Sequence, residues 1–203
     1  MKNIYIIRHG QTDFNVRLII QGRGINSDLN DEGLKQAKAF FDKYHPVDFD
    51  VVYTSALKRT HQTVSHFIAQ NIPHEIRDNI DEISWGDFEG KEHEESLKKT
   101  FYAIVDEWRK GNLTIKIDGG ESAQDLADRL MPFVEEIKNS THDNILVCTH
   151  GRTLRVLMCL LTGKSVSKMD TFEHTNTCLY KLRYDGTLFH LELENDIVHL
   201  SSN

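Results

Sequence analysis

The sequence predicts an α/β fold: a three-layer sandwich with a mostly parallel central sheet, helices on both faces and a C-terminal β-hairpin. Three observations carry that expectation. Short, continuous apolar runs rich in β-branched residues at 4–7, 50–53 and 144–149 suit strands buried on both faces. Amphipathic helical patterns alternate with these runs, which implies parallel pairing. Residues 179–184 and 187–194, either side of Asp185-Gly186, read as a hairpin with a tight turn.

In chain order, the strand at 4–7 comes first. Asn30 suits the N-cap of a helix carrying Leu34, Ala37, Phe40 and Phe41, which must end before Pro46. After the strand at 50–53, residues 56–70 place Leu57, Val64 and Phe67 at helical spacing. Residues 92–110 put Leu97, Phe101, Ile104, Val105 and Trp108 on one stripe and stop at Gly111. Ser122 with Asp125 resembles a capping box opening a helix that runs to about Ser140, and Pro132 should kink or split it. The strand at 144–149 leads through His150 into a helix carrying Leu154, Val156, Leu157, Leu160 and Leu161, closed by Gly163.

A length of 203 residues, with no internal repeat, low-complexity tract or Pro/Gly-rich linker, predicts a single domain over 1–203. A chain 39% hydrophobic and 27% charged is neither disordered nor fibrous. Lys and Arg number 24 against 31 Asp and Glu, a net charge of −7, which argues against nucleic acid as a partner but allows a local basic pocket. The N-terminal apolar run is too short for a signal peptide and no later stretch could span a bilayer, so the expected setting is the cytoplasm, away from membranes. Cys148, Cys159 and Cys178 cannot all pair within one chain and match no zinc spacing; they are expected as small buried hydrophobes.

Two apolar strands each deliver a histidine at their downstream end, in Arg8-His9-Gly10-Gln11-Thr12 and in Thr149-His150-Gly151. Ligands of open α/β sheets collect at the carboxyl ends of strands, so both can point into one crevice. Either histidine alone could simply end its strand on a nearby carbonyl. Together, each followed by a glycine that admits close backbone approach, they mark a candidate site. Arg8 precedes His9, and Arg59 opens a helix after another strand. By itself Arg59 reads as a solvated helix charge. With two histidines, however, a guanidinium pair makes a cationic pocket suited to a phosphoryl group, because Arg forks bond oxyanions bidentately at about 1.5–3 kcal/mol per charge-assisted bond. Glu82 lies beside Asp78 and Asp81 in an acidic stretch, ordinarily a solvated loop. Although the chain has 11 histidines, no His-x-x-x-His or carboxylate pair stands at ligand spacing near His9 or His150, so neither metal nor cofactor is expected.

These residues also resemble a known family. Arg8-His9-Gly10-Gln11-Thr12, with Asn15 and Gln21-Gly22 downstream, is similar to the signature of the histidine phosphatases, the superfamily that includes cofactor-dependent phosphoglycerate mutases. Ser55, Leu57, Arg59 and Thr63 fit its second motif, and Glu82, Gly86, Glu89 and Gly90 its third. Gly120-Glu121-Ser122 and Thr149-His150-Gly151 fit the fourth and fifth, and Asn176 fits a further position often seen in the family.

The resemblance implies roles. His9 would be the nucleophile of a phosphohistidine intermediate, with Arg8, Arg59 and His150 holding the equatorial oxygens. Gly151 and the helix opening there would add backbone N–H groups. Asn15 and the Gln21-Gly22 backbone would contact phosphate or leaving group. Glu82 would protonate the departing alkoxide and then deprotonate water. Glu89 is expected to orient a neighbour or cap a turn, and Trp85 to wall the pocket or pack in the core. His61, His66, His93 and His174 are expected to be bystanders, with His174 near the rim. The expected activity is hydrolysis of a small phosphorylated metabolite. Mutase-type phosphotransfer is the alternative, and a non-catalytic phospho-ligand module a second. Family mutases carry a longer insertion between the third and fourth motifs, where this chain has only residues 91–118, and that favours hydrolysis. A homodimer is left open.

Overall fold

The computed structural model describes residues 1–91 and 95–201. Strands β1 (Lys2–Arg8), β2 (Val51–Thr54), β3 (His74–Ile76), β4 (Asn144–Thr149), β5 (Leu179–Tyr184) and β6 (Phe189–Asp196) form one sheet in the order β3-β2-β4-β1-β5-β6. Pairings among β1 to β4 are parallel, whereas β5 runs antiparallel to β1 and β6 to β5. The helices are α1 (Asp13–Val16), α2 (Asp31–Tyr44), α3 (Lys58–Thr63), α4 (Ser65–Ile68), α5 (Glu95–Lys110), α6 (Ala123–Asn139) and α7 (Gly151–Thr162).

Strand alternation sorts the core into two layers. Ile4, Ile6, Val51, Tyr53, Ile145 and Val147 pack with Trp108 of α5, Leu130 of α6 and Leu157 of α7. Tyr5, Ile7, Val52, Leu146 and Cys148 pack on the other side with Phe40 of α2 and Phe67 of α4. The sheet therefore carries helices on both faces, as the sequence predicts. Cys148, Cys159 and Cys178 are free and buried, and burial pushes each thiol upward, so all three are protonated packing groups. No helix among the described residues is long and apolar enough to cross a membrane.

Several local expectations need correction. Residues 56–70 are not one helix: the chain breaks at Val64 (φ −108°, ψ 13°) into α3 and α4. In the last turn of α3, Thr63 Oγ1 donates back to the Arg59 carbonyl at 2.6 Å and accepts from Gly10 N–H at 2.9 Å, a pull on the ladder that accompanies the break. Pro132 does not split α6. It lies on the solvent side, as does Asp128, whose carbonyl loses its partner and can be hydrated instead. The hairpin turn spans four residues, with Asp185 accepting from the N–H groups of Thr187 and Leu188 at 2.9 Å. Leu34 is half exposed rather than core. The expected start of α5 at Glu92, like His93, lies outside the described residues.

The caps of Asn30 and Ser122 form as expected, Ser122 with Asp125 as a reciprocal box. The first of these sets α2 against the segment that follows β1. Gly33, in the first turn of α2, lies so close to the segment after His9 that a Cβ there would fall 2.1 Å from the Gln11 carbonyl oxygen. Gln11 N–H donates to Gln36 at 2.9 Å and its carbonyl accepts from Asn30 N–H at 3.0 Å. The loop leaving β1 is thus held by α2 on one side and by Thr63 on the other.

Candidate active site

Parallel register does most of the assembly. Arg8 of β1 pairs with Thr149 of β4, so the next residues, His9 and His150, leave adjacent strand ends side by side. Neighbouring strands lie about 4.8 Å apart, and the two imidazole centroids are 5.2 Å apart. On the far side of β4, Thr54 of β2 pairs with Cys148, which sets Ser55 and then Arg59 against His150.

Hydrogen bonds fix both tautomers. His9 Nδ1–H donates to the Gly10 carbonyl at 2.7 Å, leaving Nε2 with its lone pair. His150 Nδ1 accepts from Arg59 Nε at 3.1 Å, because a guanidinium can only donate, and His150 Nε2–H then donates to Ser55 Oγ at 2.8 Å. Burial, followed by the charges of Arg59 and Arg8, holds His9 well below the ordinary imidazole range; burial and Arg59 do the same to His150. Both rings are neutral at physiological pH. Arg59 is itself lowered to about 10 by burial, with Glu82 opposing the shift.

A cavity of about 180 Å³ opens over His9 and is lined by Arg8, Asn15, Gln21, Glu82 and Gly151 among others. Arg8 Nη1 donates to the His174 carbonyl at 2.6 Å, while Arg8 Nε is buried with no acceptor among the described residues. Glu82 comes from a loop after β3. Its Oε1 accepts from the N–H groups of Ile83 at 3.0 Å and Thr153 at 3.1 Å, and its Oε2 only a long bond from Arg152 N–H at 3.3 Å. The N–H groups of residues 152 and 153 at the start of α7, expected to face an anion, are therefore taken by a carboxylate, which suits the positive end of a helix equally well. Glu82 is consequently not a solvated loop charge: it is 8% exposed.

Three of the expected site residues stand behind the cavity wall. His150 and Arg59 are fully buried, and both His150 nitrogens are engaged by protein. Gly22 lies beneath Glu89, its carbonyl 3.5 Å from Arg59 Nη2. Glu89 ties Gly24 N–H to Trp85 N–H, both at 2.8 Å. Gln21 spans Thr12 and Ser27. Asn176 Nδ2 donates to the His9 carbonyl at 3.0 Å and to Asn15 Oδ1 at 3.2 Å. Trp85 both walls the cavity and packs in the core.

Some contributors escape sequence reasoning. His174, expected as a bystander near the rim, lines the cavity, where burial and Arg8 lower it to about 2. Arg152 also lines it, stacking 5.8 Å from Trp85 and 5.7 Å from Trp108 and pairing with Asp170 at 2.7 Å. Its place directly after His150-Gly151 was the available signal. Arg129 of α6 pairs with Glu121 and bonds the carbonyls of Asn79, Asp81 and Glu82, fixing the loop that carries Glu82; no spacing rule links these positions.

The buried neutral histidines make stability pH-dependent. Their folded values lie below the unfolded value of about 6.5, so their contribution is complete above that pH and is lost as pH falls and the unfolded chain takes up protons. Each adds a slope of up to about 1.4 kcal/mol per pH unit. Urea unfolding at pH 7.5, 6 and 5 should show a steadily falling midpoint. A midpoint constant across that range would contradict neutral, buried rings at 9 and 150.

A parallel sheet whose strand ends bring together two neutral imidazoles and the Arg8 guanidinium, backed by the buried Arg59 of α3, defines an α/β protein with an anion-competent pocket. The sequence profile of the Histidine phosphatase superfamily (branch 1) matches residues 4–197, and the chain belongs to that family. It is 31% identical over 177 residues to Phosphoserine phosphatase 1 of Hydrogenobacter thermophilus, covering 85% of this chain and 82% of that protein. It is 30% identical over 202 residues to the 2,3-bisphosphoglycerate-dependent phosphoglycerate mutase of Mesorhizobium japonicum, covering 92% and 95%. YhfR from Bacillus stearothermophilus superimposes with a TM-score of 0.87 at 25% identity, covering 98% and 100%. Because a protein of almost this length carries the mutase name, the short segment between the third and fourth motifs does not separate the two activities.

Proposed function

We propose that the chain, working as one unit over residues 1–203, hydrolyses phosphate monoesters through a phosphohistidine on His9. In the first step His9 Nε2 attacks phosphorus, the P–O ester bond breaks, and the leaving oxygen takes a proton from the acid form of Glu82. In the second, water attacks phosphorus and gives its proton to Glu82, the P–N bond breaks and phosphate departs, restoring neutral His9. Arg8, through its Nε, donates to the equatorial oxygens. Arg59, behind the wall with its donors on His150, Ile25 and Gly22, adds positive charge, so the protein supplies position and charge without a metal. Asn15 commits its carboxamide oxygen to Thr12 and Asn176, which leaves its donor end for a phosphoryl oxygen. His150, bonded at both nitrogens, acts first by aiming Arg59 and reaches a phosphoryl oxygen only by exchanging its Ser55 bond.

The observation that carries this reading is His9 itself: a neutral ring pinned at Nδ1, beside an Arg8 Nε with no acceptor among the described residues. Hydrolysis is favoured over phosphoglycerate mutation by the surroundings. A bisphosphorylated acid needs cations for a second phosphate and a carboxylate. Among the described residues Arg152 of the inner cavity is paired with Asp170, and the neighbouring cavity wall adds one lysine, Lys98, to a mainly apolar lining. Incubation with phosphoglycerates and with a panel of phosphomonoesters tests the choice. Phosphate release from the panel is expected; rapid interconversion of phosphoglycerates with negligible release would overturn it.

A further inference from the structure

Next to the inner cavity lies a second of about 440 Å³, walled by Phe14, Leu18, Ile19, Ile20, Phe101 and Tyr102. The two share Arg8, Asn15 and His174, so a group held over His9 continues directly into the outer space. Its volume is in the range that encloses a drug-sized organic molecule, more than a three-carbon acid fills. Such an acid would use Lys98 and leave the apolar wall wet.

Leu18 is the informative residue. Helix α1 closes with Ile19 N–H donating to the Phe14 carbonyl at 2.9 Å and Leu18 N–H to that of Asn15 at 3.2 Å. That motif requires a left-handed residue, and Leu18 sits at φ 56°. Glycine or asparagine meets this requirement at lower cost than leucine. Nor does folding bury the side chain, since Leu18 is 69% exposed; Tyr102, across the cavity, is 59% exposed. Neither backbone preference nor core packing accounts for a leucine here, whereas an apolar guest would cover it.

Resting on the hydrolase reading above, we propose that the preferred substrate is a monoester whose alcohol is an extended apolar body, an alkyl chain or aromatic group seated between the end of α1 and α5. Small polar acids such as phosphoserine are then poor substrates. Methyl, butyl and hexyl phosphate share alkoxide leaving-group chemistry, so differences in kcat/KM among them report the cavity. Each buried methylene adds about fourfold at most; at least a tenfold rise from methyl to hexyl is expected, with hexyl phosphate exceeding phosphoserine. Leu18→Asn should hold or raise Tm, because asparagine suits the left-handed backbone, yet lower the hexyl-to-methyl ratio about fivefold. A flat series, phosphoserine as the best substrate, or an unchanged ratio in Leu18→Asn overturns the inference while leaving hydrolysis intact. Absence of phosphate release from every ester, with His9→Ala indistinguishable from wild type, overturns the hydrolase reading and the inference with it.

Discussion

His9→Ala should lose at least roughly four orders of magnitude in kcat on every phosphomonoester, since removing a covalent nucleophile leaves only binding and charge stabilisation. Among the described residues, the ring combines a free lone pair with a fixed tautomer: Nδ1 is held by the Gly10 carbonyl, while His150, behind the cavity wall, has both nitrogens engaged. Acid-labile labelling by phosphate should vanish with turnover. The measurements are steady-state phosphate release and denaturing analysis of the labelled protein. A non-catalytic phospho-ligand module predicts something different, with no turnover in the parent and phosphate binding much the same in the variant. Residual turnover within tenfold of wild type would remove His9 from the chemistry.

Glu82→Gln should lower kcat on alkyl phosphates by about 10²–10⁴-fold, the usual range for a general acid or base. The glutamine carbonyl can still accept from Ile83 and Thr153 at the Oε1 position, so the loop and the start of α7 keep their anchor. What disappears is the capacity of Oε2, which among the described residues accepts one long bond from Arg152 N–H, to give and take a proton. The loss should therefore depend on the leaving group. With p-nitrophenyl phosphate, whose phenolate departs without protonation, bond cleavage should suffer far less than with hexyl phosphate. An equal drop for both esters would mean that Glu82 only supports the start of α7.

The strands that carry the site were legible because a strand buried on both faces has a distinctive apolar run, and His9 and His150 were legible because each ends such a run. Neither run reveals which strands are neighbours. The pairing of β1 with β4 puts the rings 5.2 Å apart, and it is a property of the sheet order. β3 escaped detection because His74–Ile76 is a three-residue edge strand with no alternation to read. Arg129 acts across loops far away in sequence, through carbonyls that no local pattern encodes. Although Arg152 directly follows His150-Gly151, its indole partners Trp85 and Trp108 are set only by the tertiary fold. The outer cavity was hidden for a related reason: its walls come from the close of α1 and one face of α5, and Leu18 becomes informative only once its backbone angle is known. The commitment of Glu82 to the N–H groups of α7 likewise depends on a tertiary approach between residues 82 and 153.

Rapid quenching into base during turnover of a phosphomonoester, followed by peptide mapping, tests the central claim most directly. One phosphoryl group is predicted on the peptide containing His9, attached at Nε2, stable in base and lost in acid, forming and decaying fast enough to account for kcat. Steady phosphate release with no phosphorylated protein at any quench time, or a label confined to the peptide containing His150, would contradict it.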